Sequence, residues 1–220
     1  MAHRSFEAVL WDFGGVILTS PFDAFAAYER EHGLPDGFLR QVNAIDPHTN
    51  AWARLERAEL DPDGFAAAFE IEARELGGDV SGSRILELLA GEIRGEMVTA
   101  LDRCRAAGLR TACLTNNIVS WEVDVDEDPV LAARAVQIAS IMSRFDVVVE
   151  SSVIGVRKPE PRFYELACEL LDVAPEACVF LDDLGINLKP ARAMGMRTIK
   201  VTEPGVALAE LEAVLGLALR

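Results

Sequence analysis

The apolar run VLW ends on a carboxylate, Asp12, and then breaks into Phe13-Gly14-Gly15. Three later apolar runs also lead to chemically capable residues. One ends on Thr115-Asn116-Asn117, one opens a loop that reaches Arg157-Lys158-Pro159, and one ends on Asp182-Asp183 with Asn187 close behind. Carboxylates brought to one place repel each other unless a cation joins them, and oxygen ligands without imidazole or thiolate suit a hard ion, best Mg²⁺. The Thr115 hydroxyl, the N–H groups of its loop and the ammonium of Lys158 would suit the oxygens of a phosphoryl group. Glycines after Asp12 allow close backbone approach. Each residue alone has a plainer reading. An acid at a strand end caps a helix or forms a turn, Thr115-Asn116-Asn117 is an ordinary turn, a lone Lys158 is solvated, and Asp182-Asp183 could cap the helix beginning near Asn187. The order of the four, each beyond a strand, is what points to chemistry.

The elements that would carry them are short apolar runs: 7–11 (EAVLW), 110–114 (RTACL), 146–150 (DVVVE), 177–181 (ACVFL) and 197–201 (RTIKV). Nearly continuous apolar runs of this length fit parallel strands covered on both faces. Helical patterns separate them, at 95–108, 161–172 and 187–195, the first and last ending on glycine and the second carrying Pro161 in its first turn. Alternating strands and helices predict an α/β fold, a doubly wound parallel sheet of Rossmann type, in which ligands bind beyond the carboxyl ends of the strands. From 20 to 94 the pattern changes to helices alone, including 24–33, 52–60 and 63–78, with Asp61-Pro62 as a good helix entry. The expected organisation is therefore a core of residues 1–19 and 95–220 with a helical insert at 20–94. Residues 121–129 (WEVDVDEDP) lack the ligand spacing and central glycine of a calcium loop and read as a solvated acidic segment.

The bulk composition narrows the classes. The chain has 220 residues, half of them hydrophobic, and 21 basic against 36 acidic side chains give a formal charge of −15. That charge argues against nucleic acid and anionic membrane surfaces as partners. No long apolar run suggests a signal peptide or a membrane span, and four cysteines without a C-x-x-C pair suggest free thiols, so a cytoplasmic location is expected. Three histidines without metal-ligand spacing give little support to a zinc site or a Ser-His-Asp triad. Oligomeric state is not readable from these features.

The segments WDFGGVIL, CLTNN, GVRKPEPRFY and VFLDDLGINLKPARAMGMRTIKV, in this order from residue 6 to about 201, resemble the haloacid dehalogenase superfamily of hydrolases. The last segment and the lysine loop before it look especially like the phosphatase domain at the N-terminus of soluble epoxide hydrolases and its bacterial relatives. The resemblance implies that Asp12 is a nucleophile toward phosphorus, giving an aspartyl-phosphate. It implies Mg²⁺ held by Asp12, the Gly14 carbonyl and Asp183, with Asp182 as ligand or behind it. Thr115 and Asn116 would bind phosphoryl oxygens, Lys158 would neutralise charge, Asn187 would brace the acidic loop, and the insert would be a cap that selects a small phosphorylated substrate.

One position departs from the pattern. Phosphatases of this kind usually carry an aspartate two residues after the nucleophile, as proton donor to the leaving oxygen, and here that position is Gly14. Such catalysis is typically worth about 10²–10⁴-fold, so weak turnover of alkyl phosphates is expected unless an insert residue substitutes, Asp23 and Asp46 being candidates. Two alternatives follow: a binding or interaction module that keeps the pocket without turnover, and carbon–halogen hydrolysis, which needs neither metal nor second aspartate. Against the latter stands the Asp182-Asp183 pair, since extra carboxylates beside an attacking one make sense mainly with a cation.

Overall fold

A computed structural model describes residues 6–89, 91–116 and 129–220. Asn117 and the acidic stretch through residue 128 lie outside the described residues.

Five strands, β1 (Ala8–Trp11), β2 (Arg110–Thr115), β3 (Val147–Glu150), β4 (Cys178–Asp182) and β5 (Arg197–Lys200), form one parallel sheet in the order β3-β2-β1-β4-β5. The central strand β1 is completely buried, which is why its sequence shows no polar alternation. Its side chains still alternate between faces. Val9 and Trp11 join Val179 and Leu181 in one apolar cluster, while Ala8 and Leu10 join Cys178 and Phe180 in the other.

Helices α6 (Gly95–Ala106) and α11 (Pro204–Leu215) cover the first face through Met97, Leu101, Leu208 and Leu211; α9 (Pro161–Leu171) and α10 (Gly185–Ala193) cover the second through Phe163, Tyr164 and Leu188. The chain between β1 and β2 folds into α1 (Phe22–Glu31), α2 (Phe38–Ala44), α3 (Ala51–Glu56), α4 (Pro62–Glu75) and α5 (Gly82–Glu87), which share a third cluster built on Phe25, Leu39, Leu55, Phe65, Phe69 and Ile85. The Asp61-Pro62 entry to α4 forms as its composition suggests: Pro62 is the first helical residue, and Asp61 Oδ1 accepts the Gly64 N–H at 2.7 Å.

Several helices go beyond those read from the pattern. Helices α2 and α5 have seven and six residues, too few for a period to declare itself. Helix α7 (Pro129–Met142) and the four-residue α8 (Ser151–Ile154) lie on either side of β3, and α11 begins with Pro204 and ends at Gly216 with φ of 68°. Helix α10 starts at Gly185 rather than Asn187, because the Leu184 N–H is taken by Asp182 Oδ1 at 2.8 Å, turning the chain two residues sooner. All four cysteines are buried and free. Among the described residues no helix is long and apolar enough to cross a membrane.

Candidate active site

Strand register places the first two carboxylates. Trp11 is level with Leu181 across the β1–β4 pair, so the next residues, Asp12 and Asp182, come side by side at the carboxyl end of the two strands. The Asp12 N–H still donates to the Leu181 carbonyl at 2.9 Å, which keeps the pairing intact to the point where the side chains emerge. Lys158, only 1% exposed, stands between them, its Nζ 2.8 Å from Asp12 Oδ1 and 2.8 Å from Asp182 Oδ2. Burial would lower the pKa of this lysine, but the carboxylates of Asp12 and Asp182 outweigh it and hold the ammonium charged, well above the usual lysine range. The Phe180 ring lies 5.8 Å from Nζ. The Lys158–Pro159 peptide is cis.

One cation does not satisfy three acids. Oxygens of Asp12, Asp182 and Asp183 lie within 4.8 Å of one another. Burial, then the charges of Asp182 and Asp183, push the Asp12 carboxyl well above its ordinary range despite Lys158. Burial and Asp182 likewise raise Asp183 to about 6. Asp182 is well partnered, since its carboxylate also accepts the Leu184 N–H at 2.8 Å and the Asn187 Nδ2–H at 3.1 Å on both oxygens. Tyr164 secures that arrangement from below by donating its hydroxyl to the Asn187 carbonyl at 2.7 Å. Asp183 accepts a hydrogen bond from Ser20 Oγ at 3.1 Å, and Asp12 accepts the Phe13 N–H at 2.6 Å on the oxygen that meets Lys158.

The two glycines after Asp12 have different tasks. Gly15 has φ of +79°, and a Cβ there would lie 2.2 Å from Asp183 Oδ2. Gly14 has φ of −69° and ψ of 132°, open to any residue, and a Cβ there meets nothing within 4 Å. The loop is closed by the Leu18 N–H on the Phe13 carbonyl at 2.8 Å and by Arg94 Nη1 on the Gly15 carbonyl at 2.6 Å.

Thr115 is buried as the last residue of β2, one step beyond the level of Asp12. Asn116 turns its amide to the lysine loop rather than into open space. Its Oδ1 accepts the Lys158 N–H at 2.8 Å, and its Nδ2 donates to the Lys158 carbonyl at 2.9 Å.

A family model described as haloacid dehalogenase-like hydrolase matches residues 6–195. The chain belongs to that family. Acyl-CoA dehydrogenase family member 10 of Mus musculus is 35% identical over 98% of this chain and 20% of its own length. Bifunctional epoxide hydrolase 2 of Sus scrofa is 32% identical over 97% of this chain and 39% of its own length. Phosphatase MT3486 of Mycobacterium tuberculosis is 36% identical over 48% of this chain and 45% of its own length. The matched stretches thus span less than half the length of each of these relatives.

Within this haloacid dehalogenase-like core, Asp12, Lys158, Asp182, Asp183 and Asn187 form one connected group, with Thr115 and Asn116 beside it. Of the candidate proton donors, the one whose side chain is described, Asp46, does not join it. Asp46 is exposed on a turn with φ of 45°, and the Asp23 side chain lies outside the described residues. Three residues at the site's edge go beyond those read from the sequence, Ser20, Glu56 and Arg94, and Arg157 figures there only as the neighbour of Lys158. For Glu56 a signal exists. It follows Trp52 by one helical turn on the inward face of α3, where an acid needs a partner.

Proposed function

We propose that this hydrolase is a phosphatase for a small phosphorylated metabolite, working through an aspartyl-phosphate on Asp12 with Mg²⁺ as cofactor. The observation that carries the reading is the group of three carboxylates whose oxygens lie within 4.8 Å, with one buried lysine shared between two of them. A hard divalent ion fits this all-oxygen set, and it would answer the raised proton affinity of Asp12 and Asp183. Asp12 and Asp183 are the side chains proposed to hold it, together with the Gly14 carbonyl; Asp182, already bonded to Lys158, Leu184 and Asn187, stands behind them. When bound, the ion would polarise the phosphoryl group and offset its charge. The name of the Mycobacterium tuberculosis relative is consistent with this class of reaction.

In the proposed reaction an Asp12 oxygen attacks phosphorus, the bond from phosphorus to the leaving oxygen breaks, and that oxygen takes a proton from solvent. Water then attacks the same phosphorus, releasing inorganic phosphate and restoring Asp12. Lys158 balances charge on the nucleophile and the transferred group, and Thr115 with the N–H groups of its loop receives phosphoryl oxygens. Residues 20–94 act as a cap over a core of 1–19 and 95–220. With glycine at position 14, acyl and aryl phosphates, whose leaving groups need little protonation, are turned over better than alkyl phosphates.

The test is a metal-dependent panel of acyl, aryl and alkyl phosphates with mass detection of phosphorylated Asp12. Asp12→Asn abolishes turnover and the mass adduct; full activity in that variant removes Asp12 as nucleophile. Gly14 also favours a second reading, a phosphate-binding module without turnover, which the panel identifies by Mg²⁺-dependent phosphate binding in the absence of product. Halide release from 2-haloacids without metal would instead point to carbon–halogen cleavage.

A further inference from the structure

We infer that Glu56, on helix α3 of the insert, is a positioning residue for Lys158, acting through Arg157 and Asn116; the inference rests on the phosphatase reading for the role it gives the lysine. Glu56 is 6% exposed, an expensive place for a carboxylate unless it is paired. Both partners of its Oε2 lead to one place. Glu56 Oε2 pairs with Arg157 Nη2, the side chain immediately before the lysine, and lies 3.5 Å from Asn116 Nδ2. That same Asn116 amide holds the Lys158 backbone on both its N–H and its carbonyl.

The remaining contacts fix Glu56 itself. Trp52 Nε1 donates to Glu56 Oε1 at 3.1 Å, and Ser151 Oγ, just beyond β3, donates to the Glu56 carbonyl at 2.6 Å. Arg157 is held a second time from the insert, its Nη1 donating to the Pro47 carbonyl at 2.8 Å. The insert therefore grips the backbone on which the lysine is mounted. Lys158 must keep Nζ within 2.8 Å of two separate carboxylates, and a displacement of about 1 Å at such a point can cost about a hundredfold in rate. The contact is not a simple ion pair between domains, because it bears on the residue before the lysine and on the amide that clamps the lysine.

The experiment compares wild type, Glu56→Gln, Arg157→Met and the double variant on aryl and alkyl phosphates with Mg²⁺, and follows amide hydrogen exchange of segment 151–160. Glu56→Gln keeps the shape and the Trp52 acceptor and removes the charge. The expected result is a fall in kcat of about 10–100-fold on both substrate classes with KM changed by less than about threefold. Because the pair acts as a unit, the double variant falls no further than the worse single variant. Exchange in 151–160 rises about tenfold while β4 is unchanged. Arg157→Met reads the same coupling from the other side should Glu56→Gln not fold.

Wild-type kcat and exchange in both single variants overturn the inference, as does a rise in exchange spread evenly over the molecule. A loss confined to alkyl phosphates overturns it differently, by marking Glu56 as proton donor to the leaving oxygen. A wild type that turns over no phosphate defeats the phosphatase reading, and the exchange measurement alone then decides whether Glu56 orders the lysine loop.

Discussion

A methyl group added at Gly15 would sit 2.2 Å from Asp183 Oδ2, whereas one added at Gly14 would meet nothing within 4 Å. Neighbouring glycines thus predict opposite outcomes. Gly15→Ala forces a side chain into the left-handed region, costing about 1–2 kcal/mol, and displaces Asp183; both a lower denaturation midpoint and a higher Mg²⁺ requirement are expected, by urea titration and metal-dependent assay. Gly14→Asp has room for its Cβ and an ordinary backbone conformation. It should raise turnover of alkyl phosphates by up to about 10²-fold and of aryl phosphates much less, read from kcat on the two classes. An unchanged ratio between the classes would mean that another group already protonates the leaving oxygen. At this scale the sequence tells a reader which residues follow strands, and hence Asp12, Lys158 and Asp182-Asp183 as a set. It does not tell what Asn116 or Glu56 touch, because those contacts join loops far apart in the chain. Nor does it separate the two glycines, since steric room at one of them depends on where Asp183 comes to rest.

Elements differ in how much of their fate is local. The central strand announces itself because burial on both faces leaves only apolar residues in Ala8–Trp11, while the edge strand β5 keeps a buried middle between charged ends. The register that sets Asp12 beside Asp182 is not local, and it follows from pairing Trp11 with Leu181. Helix α4 is written almost entirely in its first residues: Asp61 caps it and Pro62 begins it. Replacing Asp61 by alanine should cost about 1 kcal/mol of stability by denaturant titration, with kcat unchanged. A loss of activity without loss of stability would show that the cap's own geometry, rather than its helix content, reaches the site. The short helix α2 gives no comparable signal and α5 only the Ser81 cap, and both take their shape from the shared cluster around Phe65 and Phe69.

Across the whole molecule, an acidic chain concentrates three more acids at one end of its sheet. A carboxyl whose folded pKa lies above its unfolded value holds its proton more tightly in the native state. Its stabilising contribution is complete below the unfolded value of about 3.8 and is lost as pH rises through about 6 in the case of Asp183. A divalent cation must displace that proton, so Mg²⁺ should raise the Tm more at about pH 7.5 than at about pH 5, and Asp183→Asn should remove most of the difference in a thermal-shift titration. An equal Mg²⁺ effect at both pH values would place the ion elsewhere. The sheet order carries a different consequence. Ala8 of β1 pairs with Arg110 on one side and Cys178 on the other, so the central strand is made long before either of its partners. Translation delivers Asp12 long before Asp182 and Asp183. A nascent chain therefore carries an unpaired, wholly apolar strand until β2 has been made, an exposed segment of the kind that holding chaperones bind.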